Sequence, residues 1–417
     1  MKTILRSIGL GVLVLAAGAA HGQAFGALQQ DARVSVPSVR ALGMGDAVTA
    51  VPTHETAFFV NPAQLAQVDL RRPRITLLSA AAGAGGNLRE TYTFFRNDLE
   101  PALRHGIAEM RRDDPEAYRA LYDEALRVGA TPKAGFAAVQ GPSVQLATGG
   151  LAVGAGVFGH VVTRGKLFDG GAGFPYLDLY SQADVAVPVV AAMRVPGAPF
   201  GLSAGVQATY AQRRVTAKAD PLDALDPDGE KLYVLRGSAV ALDAGVYARD
   251  VVVPGLDLGA AVQNLAGGAF ELAYERSFAL FGSASAPDDQ AEIARLEARF
   301  NAREARPAVR LGAAYRLPLL PGTGLLVSRA VVSADYVGAS TSEYAQPLAA
   351  GVRAGAQATL AHLVDVRVGL SQGYPSVGAG LRLPGVHVGY AFFGVEEGRR
   401  TGQLGRTNHL MQVRVGF

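Results

Sequence analysis

The chain has 417 residues, with 39 basic against 36 acidic side chains, 51 glycines, no cysteine and no tryptophan. Without cysteine no disulfide and no thiol-borne lipid anchor can form, and a net charge this small gives nucleic-acid binding no support. Apolar residues make up 49% of the chain, yet beyond Ala20 no run approaches the ~18 apolar residues of a membrane-crossing helix, so the membrane solution open to it is a closed β-barrel.

Lys2 and Arg6 precede an apolar run from Ile8 to Ala20, followed by Ala20-His21-Gly22. A basic end, a short apolar middle and a small-residue site predict a secretory leader, 1–22, cut before Gln23 or after Ala24. Its removal leaves 37 basic side chains against 36 acidic ones.

From Arg40 to Leu65 the chain reads RALGMGDAVTAVPTHETAFFVNPAQL. Small residues outnumber periodic apolar ones here, and Asn61-Pro62 marks a turn in which Pro62 fixes φ and Asn61 can bond neighbouring backbone. This predicts a compact plug, 23–70, ahead of a barrel, 71–417. Arg40, Leu42-Gly43-Met44-Gly45, Ala47, Ala50, Ala57 and Asn61-Pro62-Ala63 resemble the N-terminal hatch of the FadL family of outer-membrane transporters and its PorV-like and TraF-like relatives. The resemblance implies a plug inside a barrel in the cell outer membrane, with Arg40, Gly43, Gly45, Asn61, Pro62 and Ala63 as the plug motif. Turn chemistry alone also accounts for Asn61 and Pro62. Phe58 and Phe59 are read either as an inner apolar ligand site or as plug packing.

Alternating segments follow, and their faces can be read directly. Val309, Leu311, Ala313 and Tyr315 oppose Arg310, Gly312, Ala314 and Arg316. Val364, Val366, Val368 and Leu370 oppose Asp365, Arg367, Gly369 and Ser371, and Met411, Val413, Val415 and Phe417 oppose Gln412, Arg414 and Gly416. About fourteen such segments fit the even number of bacterial barrels: 73–82, 134–148, 151–164, 176–192, 199–215, 237–250, 256–265, 307–317, 324–337, 349–360, 364–372, 376–383, 386–394 and 408–417. Connections after odd strands are long, apart from 373–375. Those after even strands are short, as at Gly149-Gly150, Pro196-Gly197, Pro254-Gly255, Pro321-Gly322, 361–363 and Pro384-Gly385. That parity separates outer loops from periplasmic turns, and a two-sheet sandwich has no reason to obey it. The expected fold is all-β: a transmembrane antiparallel barrel of about 14 strands with an N-terminal plug and helical insertions in outer loops.

Two insertions carry helical stripes, near 97–129 and 288–305. Leu99, Leu103, Ile107 and Met110 share a face, and Asp114-Pro115 restarts a helix that stops at Gly129. Ile293, Leu296 and Phe300 share another. Folding over the barrel mouth and contact with a partner protein explain these stripes equally well.

In the chemistry-bearing residues there is little to find. The histidines are scattered without ligand spacing, so no metal or cofactor is expected, and no nucleophile stands beside a base, so no enzyme is expected. Gly154-Ala-Gly156-Val-Phe-Gly159 matches a dinucleotide fingerprint but lies within a strand and opens no helix. Asp220, Asp223, Asp226, Asp228 and Glu230 lack EF-hand spacing and read as a solvated outer loop. The stretch 269–286 places Phe270, Leu272, Tyr274, Phe278, Leu280 and Phe281 in an outer connection, as a ligand-capturing apolar patch or as a strand extension packed on its neighbours.

The family resemblance implies passive passage of a lipophilic small molecule, such as a long-chain fatty acid, across the outer membrane. The alternative is a PorV-like or TraF-like barrel, in contact with outer-membrane lipid, that binds a protein partner in secretion or conjugation. No nucleic-acid partner is expected.

Overall fold

Alternation of apolar and polar residues can be satisfied by a wall with lipid on one side and a polar lumen on the other, and that is the arrangement found. The computed structural model describes residues 38–129, 133–169, 174–221, 231–279, 287–301, 307–318, 327–339, 351–396 and 405–417. The predicted leader and Leu280 and Phe281 lie outside the described residues, as do Asp223, Asp226, Asp228 and Glu230 of the acidic loop.

Two short helices, α1 (Val39–Gly43) and α2 (Thr56–Phe59), and a 3-10 turn (Pro62–Gln67) precede the first strand. The strands are β1 (Arg74–Gly85), β2 (Lys133–Thr148), β3 (Leu151–Phe168), β4 (Tyr176–Arg194), β5 (Ser203–Pro221), β6 (Lys231–Ala248), β7 (Leu256–Gln263), β8 (Ala273–Ala279), β9 (Ala308–Arg316), β10 (Val327–Ala339), β11 (Val352–Leu360), β12 (Val364–Ser371), β13 (Tyr374–Leu383), β14 (Val386–Glu396) and β15 (Gly405–Gly416). Each pairs antiparallel with its neighbours, and β1 pairs with β15 while β5 pairs with β6, so the sheet closes. Fourteen positions make up the ring among the described residues, because β7 pairs with the inner half of β6 and β8 with the outer half.

The faces fall as the alternation requires. Val206, Val368 and Met411 are 60%, 56% and 60% exposed, while Arg310, Asp365, Arg367 and Gln412 turn inward and are buried. An exposed belt of Val and Leu on a wall with a polar interior is stable only against hydrocarbon, so the chain is a β-barrel membrane protein. Short turns at Gly149-Gly150, 195–202, 249–255, 361–363 and 384–385 define one rim, with Arg74 and Phe417 on it. The long connections define the other, outer rim.

Helices occupy that outer rim: α3 (Leu88–Phe94), a π turn (Phe95–Leu99), α4 (Glu100–His105), α5 (Ile107–Asp113) and α6 (Pro115–Gly129), then α7 (Gln290–Asn301). Pro115 opens α6, and the Asp114 carboxylate accepts the Ala117 N–H at 3.0 Å, the expected N-terminal chemistry. Their apolar stripes face the barrel. Phe94, Leu99, Leu103, Ile107 and Leu121 pack on Leu167, Leu177, Leu179 and Leu232, and Ile293, Leu296 and Phe300 pack on Tyr180 and Tyr233.

Candidate functional site

Residues 38–70 lie within the barrel and cross its lumen. Helix α1 rests on β12 to β15, and the 3-10 turn rests on β3 to β6. Three apolar clusters fill the joints: Val39 with Leu410 and Phe393, Met44 and Val48 with Ala314 and Val331, and Phe58 and Leu65 with Phe158 and Val190.

Polar pins fix the register. Asn61 is fully buried; its amide donates to the carbonyls of Val246 (3.0 Å) and Thr49 (3.3 Å), and its oxygen accepts the Ala63 N–H at 3.1 Å. Pro62 is the first residue of the turn that follows, so neither residue has a group left over for a ligand. Gln64 donates to Val48 and Thr49 carbonyls at 2.8 and 2.9 Å. On the opposite wall Arg310 donates to Thr49 Oγ1 (3.1 Å) and to the Asp46 carbonyl (2.9 Å) and carboxylate (3.1 Å). Asp46 has a left-handed φ of 61°, a conformation Asp adopts more readily than most residues, and its carboxylate also pairs with Arg353 at 3.5 Å.

Backbone contact is the other half of the fit. Gly205, Gly245, Gly259, Gly312, Gly355, Gly369, Gly378 and Gly389 face the plug from eight strands among the described residues. A methyl group on Gly205 would lie 2.6 Å from Ala63 N, on Gly259 2.9 Å from Thr49 C, and on Gly369 2.8 Å from Gly45 Cα. Gly43 and Gly45 of the plug meet this belt, Gly43 against Gly378 and Gly45 against β12. Absence of a side chain at these positions is what lets plug and wall approach so closely.

The plug divides the lumen into two chambers. On its outer side a cavity of about 290 Å³ is lined by Leu42, Phe59, Val60, Phe158, Phe393 and Val395, with Arg310, Arg353 and Asp46 among its polar lining residues. Phe59 meets Phe158 edge to face with ring centres 4.6 Å apart, whereas Phe58 is buried beneath, 5.3 Å from Phe158. On the inner side lies a polar vestibule of about 910 Å³. Glu55 and Gln412 line both chambers, so the segment from Pro52 to Phe59 is the partition between them. Glu55 is held there by the Arg414 guanidinium and by the Ser38 hydroxyl at 2.6 Å.

The outer stretch is built differently from an open apolar patch. After β7 the chain leaves the wall at Asn264, whose N–H is taken by Asp243 at 2.8 Å. Phe270 and Leu272 then turn inward under α7 and are buried, Phe270 with the Arg213 guanidinium 4.3 Å over its ring. Burying these apolar side chains between β6 and α7 is favoured over exposing them at the mouth. Tyr274 is half-buried, and its hydroxyl bonds Asp288; Phe278 remains 46% exposed on β8.

His54 lies on the partition, with Nδ1 2.9 Å from Gln145 Oε1. Burial, then the charge of Arg74, draws its ring down to about 4. An unfolded ring takes a proton below about 6.5 and the seated one does not, so plug seating is at full strength above that pH and weakens as pH falls toward 4. The temperature of the heat-modifiable gel shift should drop between pH 7.5 and 5 in the parent, and the drop should be smaller in His54→Gln.

By sequence, no family model and no curated protein matches the chain. By structure, two variants of the Pseudomonas putida TodX monoaromatic hydrocarbon channel superpose with TM-scores of 0.52 and 0.50, at 11% and 10% identity. Each aligns over 91% of this chain, and over 99% and 98% of its own. The toluene transporter TbuX of Ralstonia pickettii gives 0.49 at 12% identity, over 90% of this chain and 97% of its own. The likeness is one of fold, a closed antiparallel barrel shared with these channels.

Proposed function

We propose that the protein resides in the outer membrane and lets a hydrophobic small molecule pass down its gradient through the barrel. The observation that carries this reading is the outer cavity, an apolar wall of Phe59, Phe158, Phe393, Val60 and Leu42 seated on a plug. At about 290 Å³ it suits one or two rings better than an extended long acyl chain, since an apolar cavity of ~150 Å³ holds benzene. A ligand bound there is released inward by a swing of the partition from Pro52 to Phe59. Movement of Asn61-Pro62 is disfavoured by the buried hydrogen bonds of Asn61.

The partner-binding reading draws less support. Its natural contact surface is an apolar outer helix face, and the stripes of α3 to α7 are spent on the barrel itself.

Vesicles with lipopolysaccharide in their outer leaflet, loaded with the purified barrel, test the proposal by entry of radiolabelled toluene and palmitate. Toluene entry should exceed that of empty vesicles and fall about tenfold in Phe59→Arg, equivalent to ~1.4 kcal/mol of lost binding. Phe58→Leu should change it little, and palmitate should enter more slowly. Entry no faster than in empty vesicles, with heat-modifiable migration intact, defeats the transport reading.

A further inference from the structure

The vestibule beneath the plug has a charge imbalance that transport of an apolar molecule leaves unexplained. Eight arginines and two histidines line it against four carboxylates among the described residues. Arg316 is matched by Asp257 and Arg414 by Glu55. At one corner, however, Arg367 and Arg382 share Asp365, each at 2.7 Å. Arg40 and Arg329 stand close by, and neither makes an ion pair among the described residues.

Arg40 comes from the plug and Arg367 from β12, and both Nε groups donate to one neutral oxygen, Gln357 Oε1, at 2.7 and 3.3 Å. Two guanidinium groups therefore lie side by side on a single acceptor. Asp365 cannot serve Arg40 as well, being already bonded by Gln357, Thr359, Arg367 and Arg382. Nη1 of Arg40 and Nη1 of Arg367 are buried without a partner, and Arg367 is 3% exposed. Space has been left for these groups: a methyl on Gly380 would meet Arg367 Nη1 and Nη2 and His387 Nε2, each at 3.1 Å.

Buried guanidinium N–H groups without acceptors are costly, and paired guanidinium groups suit carboxylate and phosphate oxygens above other ligands. We propose that Arg40 and Arg367 form an oxyanion-binding site on the inner face of the plug, taking a carboxylate or phosphate group. The bound anion bridges plug and wall. It is either free phosphate or a carboxylate borne by a small organic molecule.

Calorimetric titration of the barrel in a non-ionic detergent at low ionic strength, with inorganic phosphate and separately with benzoate, distinguishes these sources. Saturable binding is expected for at least one anion, in the parent and in Arg71→Gln, whose exposed side chain lies outside the chamber. Arg40→Gln should weaken it about tenfold or more and Arg40→Lys by less, since a lysine keeps the charge and loses the fork. Binding of phosphate alone assigns the site to free phosphate, and binding of benzoate assigns it to a ligand-borne carboxylate. Absence of saturation with both anions overturns the site, as does undiminished affinity in Arg40→Gln. Should Arg40→Gln lose its heat-modifiable migration, Arg40→Lys decides alone, and unchanged affinity there rejects the site.

Discussion

Replacing Gly369 by valine is expected to unseat the plug while the barrel stays closed. A Cβ at this position lies 2.8 Å from Gly45 Cα, and backbone cannot rotate away as a side chain can. β12 cannot retreat either, because it is hydrogen-bonded along its length to β11 and β13. Valine suits a strand, so the strain of ~1–3 kcal/mol from overpacking falls on the plug. In planar bilayers the variant should conduct persistently where the parent is nearly silent. Gly159→Val is the control, as its Cβ would have no neighbour nearer than 3.8 Å. A silent but folded Gly369→Val barrel would show that the plug accommodates the side chain, contrary to the tight seat described above.

Arg310→Met should cost the plug about 3–5 kcal/mol, the usual penalty for stranding a buried carboxylate. Asp335 has a fully buried side chain 3.7 Å from Arg310 and accepts the Thr49 N–H at 2.8 Å. Without Arg310, Asp335 loses its ion-pair partner among the described residues, and Thr49 Oγ1 and the Asp46 carbonyl lose their donor. Urea titration followed by hydrogen exchange of plug amides should show the plug opening at lower denaturant, ahead of the barrel. Adding Asp335→Asn should recover most of the loss, because an amide retains an acceptor for Thr49 and carries no charge. If the double variant is no more stable than the single one, the charge of Asp335 is not the cause.

The barrel was legible because one face of each strand had to meet lipid. Val366, Val368 and Leu370 against Asp365, Arg367 and Gly369 permit a single inside-out assignment, and the parity of short turns set which rim is which. Helix ends around Asp114-Pro115 were equally plain. What eluded sequence reasoning were the long-range partners. That Phe270 and Leu272 fold under α7 depends on the interruption at Asn264, and nothing in 269–286 itself distinguishes an exposed patch from a buried one. The glycine belt did leave a trace, a polar residue two positions before each glycine, as in Asp243-x-Gly245, Asp257-x-Gly259, Arg310-x-Gly312, Arg353-x-Gly355 and Arg367-x-Gly369. In a chain with 51 glycines that trace looks like composition until the plug is seen against it. Gln357, the shared acceptor of Arg40 and Arg367, carried no signal, since its role depends on two charges 317 and 10 residues away.

The glycine belt also constrains the order of assembly. A plug packed against glycines of eight strands among the described residues, five of them touching its backbone, fits the wall too closely to be threaded easily into a finished cylinder. The seam between the first and last strands, β1 against β15, is therefore expected to close around a segment already in place. On that expectation the plug is a mandrel on which the sheet is curled.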